Sequence, residues 1–177
     1  MDTYFATPHG VIKLRPARVE DAESFREVRL EALRLEGYAF AADYAASAAK
    51  PASQWSERLS SLDDSGTIYL AEQYSLLLGM CGIERGNSPK LAHSAHIWGV
   101  YVKREWRGMH IAEALIGRCL DWAREHSVTI VKLGVATTNA PAIRSYLRAG
   151  FAVYGVEPQA LCADGVTYDE LLMARAV

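Results

Sequence analysis

The chain has 177 residues, half of them hydrophobic and 23% charged, which suits one ordinary domain able to bury a full core without staples. Apolar content this high and charge this balanced exclude global disorder. Nineteen Lys and Arg against 21 Asp and Glu leave a net charge of −2, so no overall basic field draws nucleic acid or an anionic membrane.

Val11-Ile12-Lys13-Leu14-Arg15-Pro16 alternates and stops at a proline, which predicts a first strand. Glu20 and Asp21 then open a helix, placing carboxylates where its dipole favours them. Ala22, Phe25, Val28, Ala32 and Leu35 follow at helical spacing until Gly37. Tyr38 to Ser53 is alanine-rich with interleaved aromatics and an ambiguous period; it reads as a packed helical turn or loop, or as the mobile wall of a pocket. Pro51 suits the first turn of a second helix carrying Trp55, Leu59 and Leu62. Asp63 to Gly66 is a turn, after which Thr67–Gln73 and Leu76–Arg85 form a hairpin around Tyr74-Ser75. Gly86 to Pro89 is another turn, and His96–Lys103, rich in β-branched and aromatic residues, is a strand.

A long helix comes next, with Ala112, Leu115, Ile116, Cys119, Leu120 and Ala123 on one stripe. Thr129–Ala136 is a strand. Asn139 caps a shorter helix that Gly150 closes. Phe151–Val156 and Val166–Met173 are the last strands, joined through an Ala163-Asp164-Gly165 turn. The order predicts an α/β or α+β fold with a mixed sheet, one domain over residues 1–177. The longest wholly apolar stretch, Leu76 to Ile83, is far too short to span a bilayer. Cys81, Cys119 and Cys162 lack the spacing of a zinc site or disulfide framework, so no metal is expected, and the first two read as core residues. Met1 to Gly10 lacks a signal-peptide pattern, which with the cysteine usage points to a reducing cytoplasm.

Arg107 to Ala112 sits between a strand and the long helix. A glycine turn opening a helix aims free backbone N–H groups at one point, and the helix dipole adds about half a positive charge there. Such a terminus cradles phosphate. Lys103, Arg104 and Arg107 outnumber Glu105 beside it. On these features alone a capped helix with solvated charges is slightly favoured.

Four segments in order carry more weight. Val100-Tyr101-Val102, then Arg107-Gly108-Met109-His110-Ile111-Ala112, then Asn139, then Tyr146-Leu147-Arg148-Ala149-Gly150-Phe151 together resemble the GNAT superfamily of N-acetyltransferases. The family's loop reads Gln/Arg-x-x-Gly-x-Gly/Ala; Arg107 and Ala112 match it, and His110 stands where the family has glycine. The resemblance implies a mixed, mostly antiparallel sheet of six or seven strands with about four helices, splayed between its fourth and fifth strands. It implies acetyl-CoA as co-substrate, its pyrophosphate on the backbone N–H groups of Arg107, Gly108, Met109, His110, Ile111 and Ala112. The pantetheine arm would run beside Val100, Tyr101 and Val102 like an added strand, with Asn139, Ala142, Ser145 and Tyr146 on its other side. His110 carries a Cβ and is expected in ordinary helical space, its backbone donor intact.

Tyr146 matches the family's acid, which protonates the departing thiolate. His96, His93 and Glu84 are the candidate bases; the fourth predicted strand has no carboxylate near the expected place, which leaves open a water-mediated base or an amine deprotonated in bulk. The acceptor pocket implied by the family would be framed by Arg29, Glu31, Tyr38, Phe40 and Tyr168. The leading reading is an N-acetyltransferase acting on a primary amine of a small molecule, peptide or protein by direct attack in a ternary complex. Its rivals are a non-catalytic acyl-CoA-binding sensor or regulatory module and a nucleotide-binding α/β domain; GxSxG, HExxH and GxxxxGK[ST] are all missing. No nucleic acid or membrane partner is expected, and an exposed end strand allows a homodimer.

Overall fold

The apolar runs in the middle of the chain belong to strands covered on both faces. The computed structural model describes residues 2–177. Its strands are β1 (Thr3–Thr7), β2 (Gly10–Pro16), β3 (Gly66–Gln73), β4 (Leu76–Arg85), β5 (Ser94–Val102), β6 (Ile130–Ala136), β7 (Ala152–Ala163) and β8 (Val166–Ala176). Its α-helices are α1 (Ala22–Leu35), α2 (Tyr44–Ala48), α3 (Ala52–Ser60), α4 (Ile111–Glu125) and α5 (Ala140–Arg148). The strands form one sheet in the order β1-β2-β3-β4-β5-β6-β8-β7. Every neighbouring pair is antiparallel except β5 and β6.

Side chains alternate between two cores across this sheet. Ile68 and Leu70 of β3 point toward Phe25, Val28 and Ala32 of α1 and Trp55 and Leu59 of α3. Tyr69 and Ala71 point the other way, toward Leu115, Ile116, Cys119 and Ala123 of α4. Cys81 and Cys119 lie fully buried in that second core as free thiols, their Sγ atoms 3.3 Å apart. Burial pushes the Cys119 thiol up, and its contact with Cys81 adds to the shift. Arg15 ties β2 to its neighbours: its guanidinium donates to Asp21 at 2.6 and 2.7 Å and to Glu72 at 2.7 and 2.9 Å. The hydrogen bonds to Asp21, opposed by burial and joined by those to Glu72, hold Arg15 well above its ordinary pKa.

The mixed, mostly antiparallel sheet is as expected, with more elements: eight strands and five α-helices. β1 was not predicted because Thr3–Thr7 is short, half exposed and at the sheet edge, so no burial pattern marks it. α2 fills part of the alanine-rich stretch, where Asp43 accepts a hydrogen bond from the Ala46 amide at 2.7 Å. Pro51 precedes α3 as its cap residue and does not sit in its first turn. β7 continues past Val156 to Ala163. No described helix is long and apolar enough to cross a membrane.

Candidate active site

β5 and β6 pair only where Ser94, Ala95 and His96 face Ile130, Val131 and Lys132. Beyond that point β5 follows β4 and β6 follows β8, so the sheet splits between the fourth and fifth of the predicted strands. A bulge in β5 widens the gap. Trp98 pairs with Gly82 and Tyr101 with Met80, so Gly99 and Val100 together oppose Cys81. Gly99 takes a φ of +65°, which favours glycine. The Lys103 amide donates to the Leu78 carbonyl at 2.8 Å; Val102, one residue earlier, therefore turns its N–H away from β4 and into the gap. The result is a cleft of about 600 Å³. Val100, Tyr101 and Val102 line one wall, Gly134, Val135 and Ala136 of β6 the other, and the starts of α4 and α5 close its end.

The loop before α4 departs from expectation at His110. Its φ and ψ are 61° and 19°, and Gly108 has a φ of +80°. His110 is thus left-handed, the conformation that the family's glycine would permit, and not in helical space. The cost for a residue with a Cβ is about 1–2 kcal/mol, and histidine is among the residues that tolerate it. Three consecutive amides, those of His110, Ile111 and Ala112, have no hydrogen-bond acceptor among the described residues. They face the cleft with the positive end of the α4 dipole behind them. The His110 imidazole is mostly exposed, 3.4 Å from Glu113. His110→Gly is therefore expected to keep acetyl-CoA affinity within about threefold, since the backbone is already in glycine's conformation, whereas His110→Val, β-branched at positive φ, is expected to lose at least tenfold (about 1.4 kcal/mol). Calorimetric titration of the two variants checks this.

The cationic patch beside the loop is largely neutralised. Arg107 donates through Nε to the Val102 carbonyl at 3.0 Å and pairs with Glu36 at 3.0 Å. Its guanidinium lies 5.6 Å from the Tyr101 ring. Lys103 pairs with Glu31 and Arg104 with Glu36, each at 3.6 Å. Arg107 is thus a strut between loop, β5 and α1, and its own amide is already given to the Arg104 carbonyl at 3.3 Å, so it is not among the free amides of the loop. Met109 packs against the α4 core and does not line the cleft; Gly108, His110, Ile111 and Ala112 do.

On the α5 side, Asn139 accepts a hydrogen bond from the Ala142 amide at 3.3 Å, capping the helix while it lines the cleft. Ala142, Ser145 and Tyr146 line the same wall. Tyr146 is buried edge-on to Phe151, ring centroids 6.2 Å apart. Its hydroxyl makes no hydrogen bond among the described residues. Burial, with smaller contributions from Cys81 and Glu170, holds its pKa above the ordinary value, so it stays protonated through the neutral range. Arg144, unnoticed in the sequence, lines the cleft without an ion pair among the described residues. Glu113 also lines it, its charge met by Arg148 at 2.8 Å; burial opposes its ionisation, but hydrogen bonds from its own amide, Arg148 and Ser145 leave its pKa below the usual range.

The candidate bases lie elsewhere. His96 and Glu84 face each other across β4 and β5 in the paired half of the sheet, before the strands part. Neither lines the cleft, and Glu84 is spent on Arg58 at 3.5 Å. Desolvation and Lys132 lower the His96 pKa against the pull of Glu84, which would suit a base, but the imidazole is in the wrong place. His93 is in the turn leading into β5, its carbonyl bonded to the Thr129 amide. Tyr38 and Phe40 line the cleft; Tyr168 reaches it only through Tyr38, ring to ring at 5.6 Å. Glu31 is occupied by the Tyr101 hydroxyl at 2.8 Å, and Arg29 belongs to a second cavity.

The carboxylate missed in the sequence is Glu170. It leaves β8 toward Gly134 of β6, so that a Cβ on Gly134 would lie 2.5 Å from its Oε2. Gly134 is part of the cleft wall. Burial raises the Glu170 pKa, and Glu157, its partner across β7 and β8, raises it further.

Free amides at a helix start, an open strand edge and an unpartnered phenol fit a diphosphate joined to an amide-bearing arm that ends in a thiol ester. The fold and this cleft define a known class. Residues 28–151 match the family model described as the Acetyltransferase (GNAT) family, and the chain belongs to that family. It is 31% identical over 103 residues to the L-amino acid N-acetyltransferase AaaT of Escherichia coli (strain K12), a match over 56% of this chain that spans 61% of that relative's length. Among solved structures it resembles a GNAT-family acetyltransferase from Streptococcus pneumoniae, with a TM-score of 0.84, 18% identity and 94% and 99% of the two chains covered. It also resembles yncA from Salmonella typhimurium, solved with acetyl-CoA, with a TM-score of 0.76, 18% identity and 93% of each chain covered.

Proposed function

We propose that the protein is an N-acetyltransferase that transfers the acetyl group of acetyl-CoA directly to a primary amine, both substrates being held in the cleft at once. The observation that carries this is Tyr146: a buried phenol without a hydrogen-bond partner among the described residues, on the wall opposite an open strand edge. The amides of His110, Ile111 and Ala112 would hold the diphosphate, and Val102, Asn139, Ala142 and Ser145 the pantetheine arm. Acetyl-CoA supplies an acetyl group already activated as a thioester. The Val102 N–H donates to a carbonyl oxygen placed beside it. The Tyr146 hydroxyl gives its proton to the departing thiolate, and the Glu170 carboxylate takes the proton from the attacking amine.

This assignment of the base replaces His96 and Glu84, and it rests on position first: Glu170 lies against Gly134, a residue of the cleft wall, whereas His96 and Glu84 face each other in the paired half of the sheet. The same proposal places the protein in the cytoplasm, whose reducing conditions suit three free cysteines. It includes a homodimer through the edge strand β7, where Val153, Tyr154 and Val156 are exposed. Thiol release from acetyl-CoA across a panel of primary amines tests the activity. Release with at least one amine, lost in Tyr146→Phe, is expected; binding of acetyl-CoA without release on any amine would instead make the protein a sensor.

A further inference from the structure

A second cavity of about 530 Å³ lies against α1, α2 and α3, behind the bulge of β5. Its wall is rich in donors: Arg29, Lys50, Gln54, Trp55, Arg58 and Trp98 line it, against the single carboxylate of Glu57. Three of these donors are stranded. Arg29 Nη1, Trp55 Nε1 and Trp98 Nε1 are buried without a hydrogen-bond partner among the described residues. Buried donors are rarely left so, because each forfeits its hydration with nothing in return. Burial, with no anion to oppose it, pulls the Arg29 pKa down to about 10. Arg58 already shares its charge with Glu84, and Lys50 is exposed, its Nζ 6.0 Å from the centre of the Trp55 ring, so Arg29 carries the cavity's desolvated cation without an anion.

This cavity adjoins the cleft. Trp98 lines both. Arg29 sits 4.9 Å above the ring of Phe40, a cleft residue. Its Nη1 lies 3.5 Å from where a Cβ would stand on Gly99, at the bulge itself. Building on the acetyltransferase reading, we infer that the acceptor amine carries a carboxylate, which Arg29 receives behind the bulge with the indole N–H groups of Trp98 and Trp55 as supporting donors. One unpaired guanidinium beside neutral indoles matches a monoanion better than a phosphate, and its planar fork matches a carboxylate. The acceptors are therefore amino acids, with the amine directed past Trp98 into the cleft.

The test compares the common amino acids, β-alanine and 4-aminobutyrate with their carboxamides, measuring kcat/KM for thiol release. Acids are expected to exceed their amides by fiftyfold or more. In Arg29→Gln that ratio should fall at least tenfold; Arg29→Lys should restore part of it. A residue that only supported the fold would lower acids and amides alike, leaving the ratio unchanged. Amides acetylated as well as acids, or a ratio untouched by Arg29→Gln, would overturn the inference while leaving the acetyltransferase reading in place. Turnover of other amines but of no amino acid would overturn it too. Absence of turnover on every amine would remove the acetyltransferase reading, and the inference with it.

Discussion

Tyr146→Phe is expected to lower kcat for acetyl transfer about a hundredfold, which corresponds to about 2.7 kcal/mol of barrier, while leaving acetyl-CoA affinity within about threefold. Positioned proton donors contribute effects of this size. The substitution is clean because the ring keeps its packing against Phe151, and the hydroxyl gives up no hydrogen bond among the described residues. Thermal stability should therefore change little, which separates loss of an acid from loss of the fold. The pH profile gives a second check. Because burial holds the Tyr146 pKa above its ordinary value, the acid form persists as pH rises, and this residue should impose no fall in activity below about pH 10. Stopped-flow or steady-state thiol release, with calorimetry for binding, checks all three statements.

Glu170→Gln is expected to lower kcat/KM by about a hundredfold as well, with the loss greatest at neutral pH. A base must be unprotonated to work. The raised pKa of Glu170 therefore gives wild type an acidic limb, along which activity falls as pH drops through that pKa. The glutamine variant should lose this limb and keep only the one set by the amine itself. Stability has the opposite sign. A carboxyl whose folded pKa is raised favours the folded state most at low pH, and that advantage disappears as pH rises through the folded pKa. Glutamine also ends the repulsion from Glu157 across the hairpin. The variant should therefore unfold at pH 8 no more readily than wild type, even as its activity falls. A pH–rate series alongside thermal unfolding at pH 8 checks both halves.

The contrast between Tyr146 and Glu170 shows how far the sequence could be read. Tyr146 is local: a helix that starts at Asn139 and ends at Gly150 fixes its position within a turn or so. The Arg107–Ala112 loop is local in the same way, since a strand, a glycine turn and an apolar stripe follow one another directly. Glu170 depends on register. A regular hairpin about Asp164-Gly165 would set it opposite Gln159, but the strands slip between Glu157 and Leu161, where Gln159 takes a φ of 52°. No side-chain period announces that slip, which sets Glu170 against Glu157, nor the separate β6–β8 register that sets it opposite Ala136 and so near Gly134.

His96 lies off the cleft for a related reason. Strand alternation correctly separates it from Ala95 and Ile97, which point into the α4 core. What decides its usefulness is where β5 and β6 part company, and they do so just after it. That branch point rests on the pairing of two strands separated by all of α4, which no local pattern carries. The conformation of His110 departs from what its Cβ favours, and the contacts of Arg107 with Val102 and Glu36 brace the loop around it.

The proposed grip of three free amides on a diphosphate is tested most directly by calorimetric titration of the wild-type protein with acetyl-CoA and with S-acetylpantetheine, which lacks the diphosphate. One site for acetyl-CoA, with S-acetylpantetheine at least a hundredfold weaker (about 2.7 kcal/mol), is the predicted result. No heat with acetyl-CoA, or equal affinity for the two, would contradict it.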